Sequence, residues 1–209
     1  MAKRKGLSRP ARIFWGLLAA VLIAITGIWG YNRYMEKEKV NQLYKHGFRL
    51  YEEQIATYIK ENYSGISKIE FSPIFVDGDG RFTMRTVNVV PVVYDEEGNK
   101  AYLGRKVGNG NDGFSDFGIA DGLIVDFDGF GEEVIELEDF ETDKVYDVSG
   151  YETLPDFAKL KKNSILDENI MALIDSHQLE TVEKSSEGSP DSEIVYNLEI
   201  REGDYTQWH

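Results

Sequence analysis

The sequence predicts an α+β chain, with an N-terminal transmembrane helix followed by one domain of antiparallel sheet covered by two helices. Three observations predict it. Residues 13–32, IFWGLLAAVLIAITGIWGYN, form 20 residues without a charge. Val40, Tyr44, Phe48, Tyr51, Ile55 and Tyr58 follow at spacings of three and four, the period of a helix with one apolar face. From Ile66 onward, β-branched and aromatic runs alternate with turn signals rich in Gly, Asp and Asn, the pattern of hairpins.

Composition sets the outer limits. The 209 residues, 42% of them hydrophobic, are enough for one domain with a sizeable core and too apolar for a disordered chain. The 37 acidic residues outnumber the 23 Lys and Arg, for a net charge of −14. Residues 1–30 hold Lys3, Arg4, Lys5, Arg9 and Arg12 and no acid, which leaves 18 cations against 37 acids in the rest. A surface that acidic repels phosphate backbones and argues against nucleic acid as a partner. The absence of cysteine excludes thiol catalysis, disulfides, zinc-thiolate sites and iron–sulfur clusters.

The uncharged run, as a helix rising about 1.5 Å per residue, matches the roughly 30 Å hydrocarbon core of a bilayer. Trp15 near one end, with Trp29, Tyr31 and Tyr34 near the other, suit the two headgroup regions. The run exceeds the apolar core of a signal peptide, and Ile25-Thr26-Gly27 is a poor cleavage site, so an uncleaved anchor is expected. The five cations before it outweigh Arg33, Lys37 and Lys39 after it, which places the amino terminus in the cytoplasm. The expected division is a basic cytoplasmic tail over 1–12 and a single-pass membrane anchor over 13–32. An amphipathic helix or stalk follows over 33–65, packed on an extracytoplasmic α+β domain over 66–209.

Within that domain, ISKIEFSPIFV, RFTMRTVNVVPVVYD and KAYLGRKV read as three antiparallel strands separated by turns at Asp77–Gly80 and Glu96–Asn99. Pro73 and Pro91 call for edge positions or bulges, because proline donates nothing to a ladder. GLIVDF and EVIELED form a further hairpin turning at Asp128-Gly129, with one more short strand near Lys144–Val148. Asn163 or Ser164 caps a second helix with Leu166, Ile170, Leu173 and Ile174 on its buried stripe. KSSEGSPDSE is a polar linker into a half-buried strand, EIVYNLEI.

The order of helix and then meander resembles the cystatin-like layout, a helix wrapped by a multistranded antiparallel sheet. The basic start, the apolar segment, the cysteine-free acidic remainder and phrases such as YEEQIATYIKENYSGISKIEFSPIFVDG and VYNLEIREGDYTQWH carry a second likeness. In plan the chain is similar to the small single-pass or lipid-anchored surface proteins of unknown function of Gram-positive bacteria. That resemblance implies a membrane-anchored surface domain and brings no catalytic residue with it.

Catalytic and cofactor motifs fall short. Gly108–Gly113 fits G-x-G-x-x-G, but FSDFG follows where a nucleotide site needs a helix. Gly113–Gly118 has one residue too many for a G-x-S-x-G elbow. The histidines are His46, His177 and His209, and no pair has metal-ligand spacing. Calcium is the one ion with candidate ligands, oxygens of Asp77, Asp79, Asn111, Asp112 and Asp116; no other cofactor is implied.

The expected function is therefore binding rather than catalysis: an anchored extracytoplasmic domain that engages a cell-envelope component. Phe114, Phe117, Phe127 and Phe130 are the candidate binding-loop residues, expected to divide between core and exposed loop. The alternatives are a wall-polymer hydrolase using paired carboxylates, one of them with a raised pKa in an apolar cleft, and a divalent-cation-responsive surface domain. The sequence leaves the oligomeric state open.

Overall fold

The computed structural model describes residues 9–78, 86–104 and 122–208. The chain divides into two compact units, Met1–Gln42 and Leu43–His209.

The described part of the first unit is helical, within helix α1 (Arg9–Asn62). Among the described residues no helix is long and apolar enough to cross a membrane. This corrects the expectation of a transmembrane helix over 13–32 and of the single-pass topology drawn from it. The apolar side chains described here, among them Trp15, Ile23, Ile28 and Trp29, are exposed.

In the second unit α1 is a core helix. Phe48, Tyr51, Ile55, Tyr58 and Ile59 are buried, and so are Leu50 and Ala56 on other faces. The burial is wider than a single stripe, which is the condition of a helix enclosed on several sides. After Asn62 the chain enters the short strand β1 (Tyr63–Ser64) and turns at Gly65, whose φ of 78° suits glycine.

The first two strand runs are each broken in two. The first gives β2 (Ile66–Phe71) and β3 (Ile74–Asp77), the second β4 (Thr86–Asn88) and β5 (Pro91–Asp95), and β6 (Lys100–Tyr102) follows. Both breaks meet at one place. Pro73 has no N–H to give, and Ser72 accepts the Val90 N–H on its Oγ at 2.8 Å while its own N–H bonds the Val90 carbonyl at 3.0 Å.

The remaining elements are β7 (Leu123–Phe127), β8 (Glu133–Asp139), β9 (Lys144–Asp147), helix α2 (Ser164–Asp175), β10 (Glu183–Lys184), β11 (Glu193–Val195) and β12 (Ile200–Glu202). The strands lie in the orders β1-β10, β11-β2-β5-β6, β12-β3-β4 and β7-β8-β9. β11 and β12 run parallel to β2 and β3, which corrects the expected all-antiparallel sheet. The chain returns through α2 to the end of the sheet where β2 starts, so its last strands travel in the same direction. The run read as one final strand is two, with Tyr196–Glu199 between them. Part of the expected polar linker contributes β10.

α2 begins where Asn163 Oδ1 accepts the Leu166 N–H at 2.9 Å, and it buries Leu166, Ile170 and Leu173. Asp167 ties it to α1, accepting from Tyr58 at 3.0 Å and Tyr63 at 2.7 Å, while Lys184 pairs with its second oxygen at 2.6 Å.

Candidate functional site

His46 on α1 is held between two partners far along the chain. Its Nδ1 lies 2.9 Å from Glu133 Oε2 at the start of β8, and its Nε2 lies 2.9 Å from the Tyr151 carbonyl oxygen. Both partners are acceptors and a neutral imidazole has one N–H to give, so only the imidazolium satisfies both. Burial works against the charge. The hydrogen bonds to Glu133 and Tyr151 and the negative charges of Glu133 and Glu152 outweigh it, and the pKa is raised above the ordinary value of 6.5. With both nitrogens engaged by acceptors, this histidine is a tether and is not disposed to take a proton from a nucleophile.

Glu53 and Gln54 lie seven and eight residues beyond His46, on the same side of α1. Glu53 accepts the Leu154 N–H at 3.1 Å and an Arg49 N–H at 3.0 Å, and Gln54 donates to the Ala158 carbonyl at 2.7 Å. Together the three side chains fix the segment from Tyr151 to Ala158. That segment carries Tyr151 and Phe157, 44% and 50% exposed. The Phe157 ring is 5.5 Å from that of Tyr151 and 6.0 Å from that of Tyr146.

The β7–β8 turn enters the same region through Glu133. Asp128 Oδ1 accepts the N–H groups of Phe130 and Glu132, both at 2.8 Å, and the Gly131 N–H bonds the Asp128 carbonyl at 3.0 Å. An Asx turn of this kind holds its shape by local bonds. Phe127 is half-buried against the core, and Phe130 is 95% exposed. The rings of Phe130, Tyr151 and Phe157 are thus exposed on ordered backbone, with Glu132, Glu133 and Glu152 close to them in sequence.

Of the residues singled out from sequence, Phe127 and Phe130 belong to this region. Phe114 and Phe117 lie outside the described residues, as do Asp79, Asn111, Asp112 and Asp116. Asp77, at the exposed end of β3, accepts the N–H of Gly78 at 2.8 Å. Among the described residues no three His, Asp or Glu side chains gather as a metal site.

Two features went unread in the sequence. The His46 tether joins residues 87 and 105 positions apart, and no local pattern marks it. Glu52 reads as one of many solvated acids, yet it is completely buried on α1. Its Oε2 accepts the Asn197 N–H at 3.3 Å, while Oε1 has no hydrogen-bond partner among the described residues. Burial pushes its pKa well above the usual carboxylate range, against the Asn197 hydrogen bond and the charge of Arg49. A surface cleft of about 490 Å³ lies further along α1, lined by Thr57, Lys60, Glu61, Lys159 and Glu187 among others. Its lysines and glutamates balance in charge.

No family model, curated protein or solved structure matches this chain.

Proposed function

We propose that residues 43–209 are a non-catalytic binding module of the cell envelope, working outside the cytoplasm, whose contact surface is formed by Phe130, Tyr151 and Phe157 beside the His46 tether. One observation carries this reading. A phenylalanine that is 95% exposed stands on a hydrogen-bonded turn, and two half-exposed rings stand on the segment that His46, Glu53 and Gln54 of α1 hold in place. Ordered aromatic rings facing solvent are the usual anchors of a binding surface. The exposed apolar side chains between Trp15 and Met35 keep the module at a lipid surface, where such a surface meets envelope components.

The test is co-sedimentation of the chain with isolated envelope, comparing the natural sequence with Phe130→Ala and the pair Tyr151→Ala and Phe157→Ala. Weakened association at unchanged melting temperature supports the reading; unchanged association removes it. Protease shaving of intact cells carrying a C-terminal tag tests the location, and a protected tag overturns it.

A second reading, hydrolysis of a wall polymer by paired carboxylates, has the raised carboxyl of Glu52 in its favour. Against it, Glu52 is fully enclosed. Absence of wall-polymer hydrolysis by the natural sequence removes this reading, and hydrolysis that persists in Glu52→Gln removes Glu52 from it.

A further inference from the structure

The outer face of the β11-β2-β5-β6 sheet carries an arrangement distinct from the His46 surface. Cross-strand register aligns Lys68, Tyr94 and Lys100 in one row, and Glu70, Val92 and Tyr102 in the next. Residues directly opposite in an antiparallel pair share a face. The alternate positions Ile69, Val93 and Ala101 are fully buried in the core, and Val92 in the outer row is fully buried as well. Trp208 joins this outer face through the short 3-10 turn Tyr205–Gln207. Asp204 caps that turn by accepting the Thr206 N–H at 2.8 Å. The Trp208 ring meets Tyr102 edge-on, with centroids 5.8 Å apart.

Lys100 Nζ lies among these rings, 4.6 Å from the centroid of Tyr102 and 5.8 Å from those of Tyr94 and Trp208. All three distances fall within the range of a cation–π contact, roughly 6 Å. Behind Tyr94, Glu70 Oε2 accepts from the Tyr94 hydroxyl and from Lys68 Nζ, both at 2.8 Å, which fixes the ring and sets a carboxylate nearby. Lys68 Nζ is the nearer cation to the Tyr94 ring, 4.0 Å from its centroid, and it holds the Glu70 carboxylate; aromatic rings grouped around one ammonium, as around Lys100, are the elements that recognise alkylated ammonium groups. Lys100 is exposed and stands on β6, outermost in its described sheet. Its long stem has the rotamer freedom to swing out.

We propose that Tyr94, Tyr102 and Trp208 form a cage for an alkylated ammonium ion, which the side chain of Lys100 itself fills. The lysine acts as a tethered competitor. A ligand binds only in the fraction of molecules whose lysine has left, and its apparent affinity is reduced by that fraction.

The experiment titrates tetramethylammonium into the full chain and follows the indole resonances and fluorescence. Lys100→Ala is expected to bind about tenfold more tightly than the natural sequence, and Lys100→Ala with Trp208→Ala to lose that gain. tert-Butanol, similar in shape and uncharged, is expected to bind Lys100→Ala several-fold more weakly than the cation does. Far-ultraviolet dichroism checks that each variant is folded, and Trp208→Phe, which keeps a ring, is expected to retain most of the gain. The proposal is overturned if Lys100→Ala binds the cation no better than the natural sequence, or if the neutral isostere binds equally well. It is also overturned if the gain survives loss of Trp208. Choline in solution and phosphatidylcholine vesicles, each measured against the double variant, then distinguish a free ligand from a lipid headgroup. Binding of either supports the cage.

Discussion

Gly47 of α1 faces Val125 of β7 so closely that a methyl group on the glycine would collide with Val125 Cγ1. Leu123 and Ile135 stand just behind. The glycine is where the helix comes down onto the β7-β8-β9 sheet, and the lost helix propensity, about 1 kcal/mol relative to alanine, is offset by the close packing it permits. Gly47→Ala is expected to destabilise the domain by about 1 kcal/mol net, the overpacking outweighing the gain in propensity. Val125→Ala in the same chain should relieve the collision, so the two changes should be non-additive in a urea-unfolding cycle.

Stability should respond to the titration of His46. Its folded pKa is raised above the ordinary 6.5, so the native state holds its proton more tightly than the unfolded chain does. The contribution is complete below about pH 6.5 and is lost as pH rises through the folded value. Melting temperature followed from pH 5 to 9 should show this decline, and His46→Gln should flatten it. An unaltered profile in the variant would show that the tether is held by other means.

Glu52 predicts a pH effect of the same sign at lower pH. Its folded pKa is raised well above 4.5, so the unfolded chain releases this proton first and stability falls as pH rises from about 4.5 to the folded value. Glu52→Gln keeps an oxygen for the Asn197 N–H and has no charge to desolvate. At pH 8 it should be more stable than the natural sequence, with the difference vanishing near pH 4. Equal denaturation curves at both pH values would contradict this.

Asp167 accepts two tyrosine hydroxyls, one of them on the fully buried Tyr63. Asp167→Ala leaves that hydroxyl without its acceptor and should cost about 2–4 kcal/mol, whereas Tyr63→Phe, which removes the donor as well, should cost about 1 kcal/mol. Paired chemical denaturation measurements decide between this ordering and its reverse.

Much of the second unit was legible because its signals are local. Asn163 caps α2 by a bond three residues away, and Asp128 closes the β7–β8 turn through its own neighbours. Pro73 announced a break in the first strand run, though the matching break before Pro91 depends on Ser72 meeting Val90 across the sheet. What stayed hidden depends on distant partners. His46 is tethered by residues beyond β7, Glu52 is enclosed on a helix that burial surrounds, and the Lys100 cage needs three strands in register. The expected membrane crossing rested on charge-free length over 13–32; among the described residues no helix is long and apolar enough to cross a membrane.

The parallel pairing of β11 with β2 sets Glu193 opposite Lys68, 125 positions earlier, and β12 repeats the arrangement on β3. During synthesis, β2 and β3 leave the ribosome long before their outer neighbours exist. They can settle against β5 and β4, but their other edge stays open until the chain has been made as far as Glu202. At about 5–20 residues per second that is an interval of roughly 5 to 20 seconds, with strand edges able to pair wrongly with other nascent chains. Folding of this unit is thus completed late, and a chaperone that shelters strand edges has its widest opportunity in that interval.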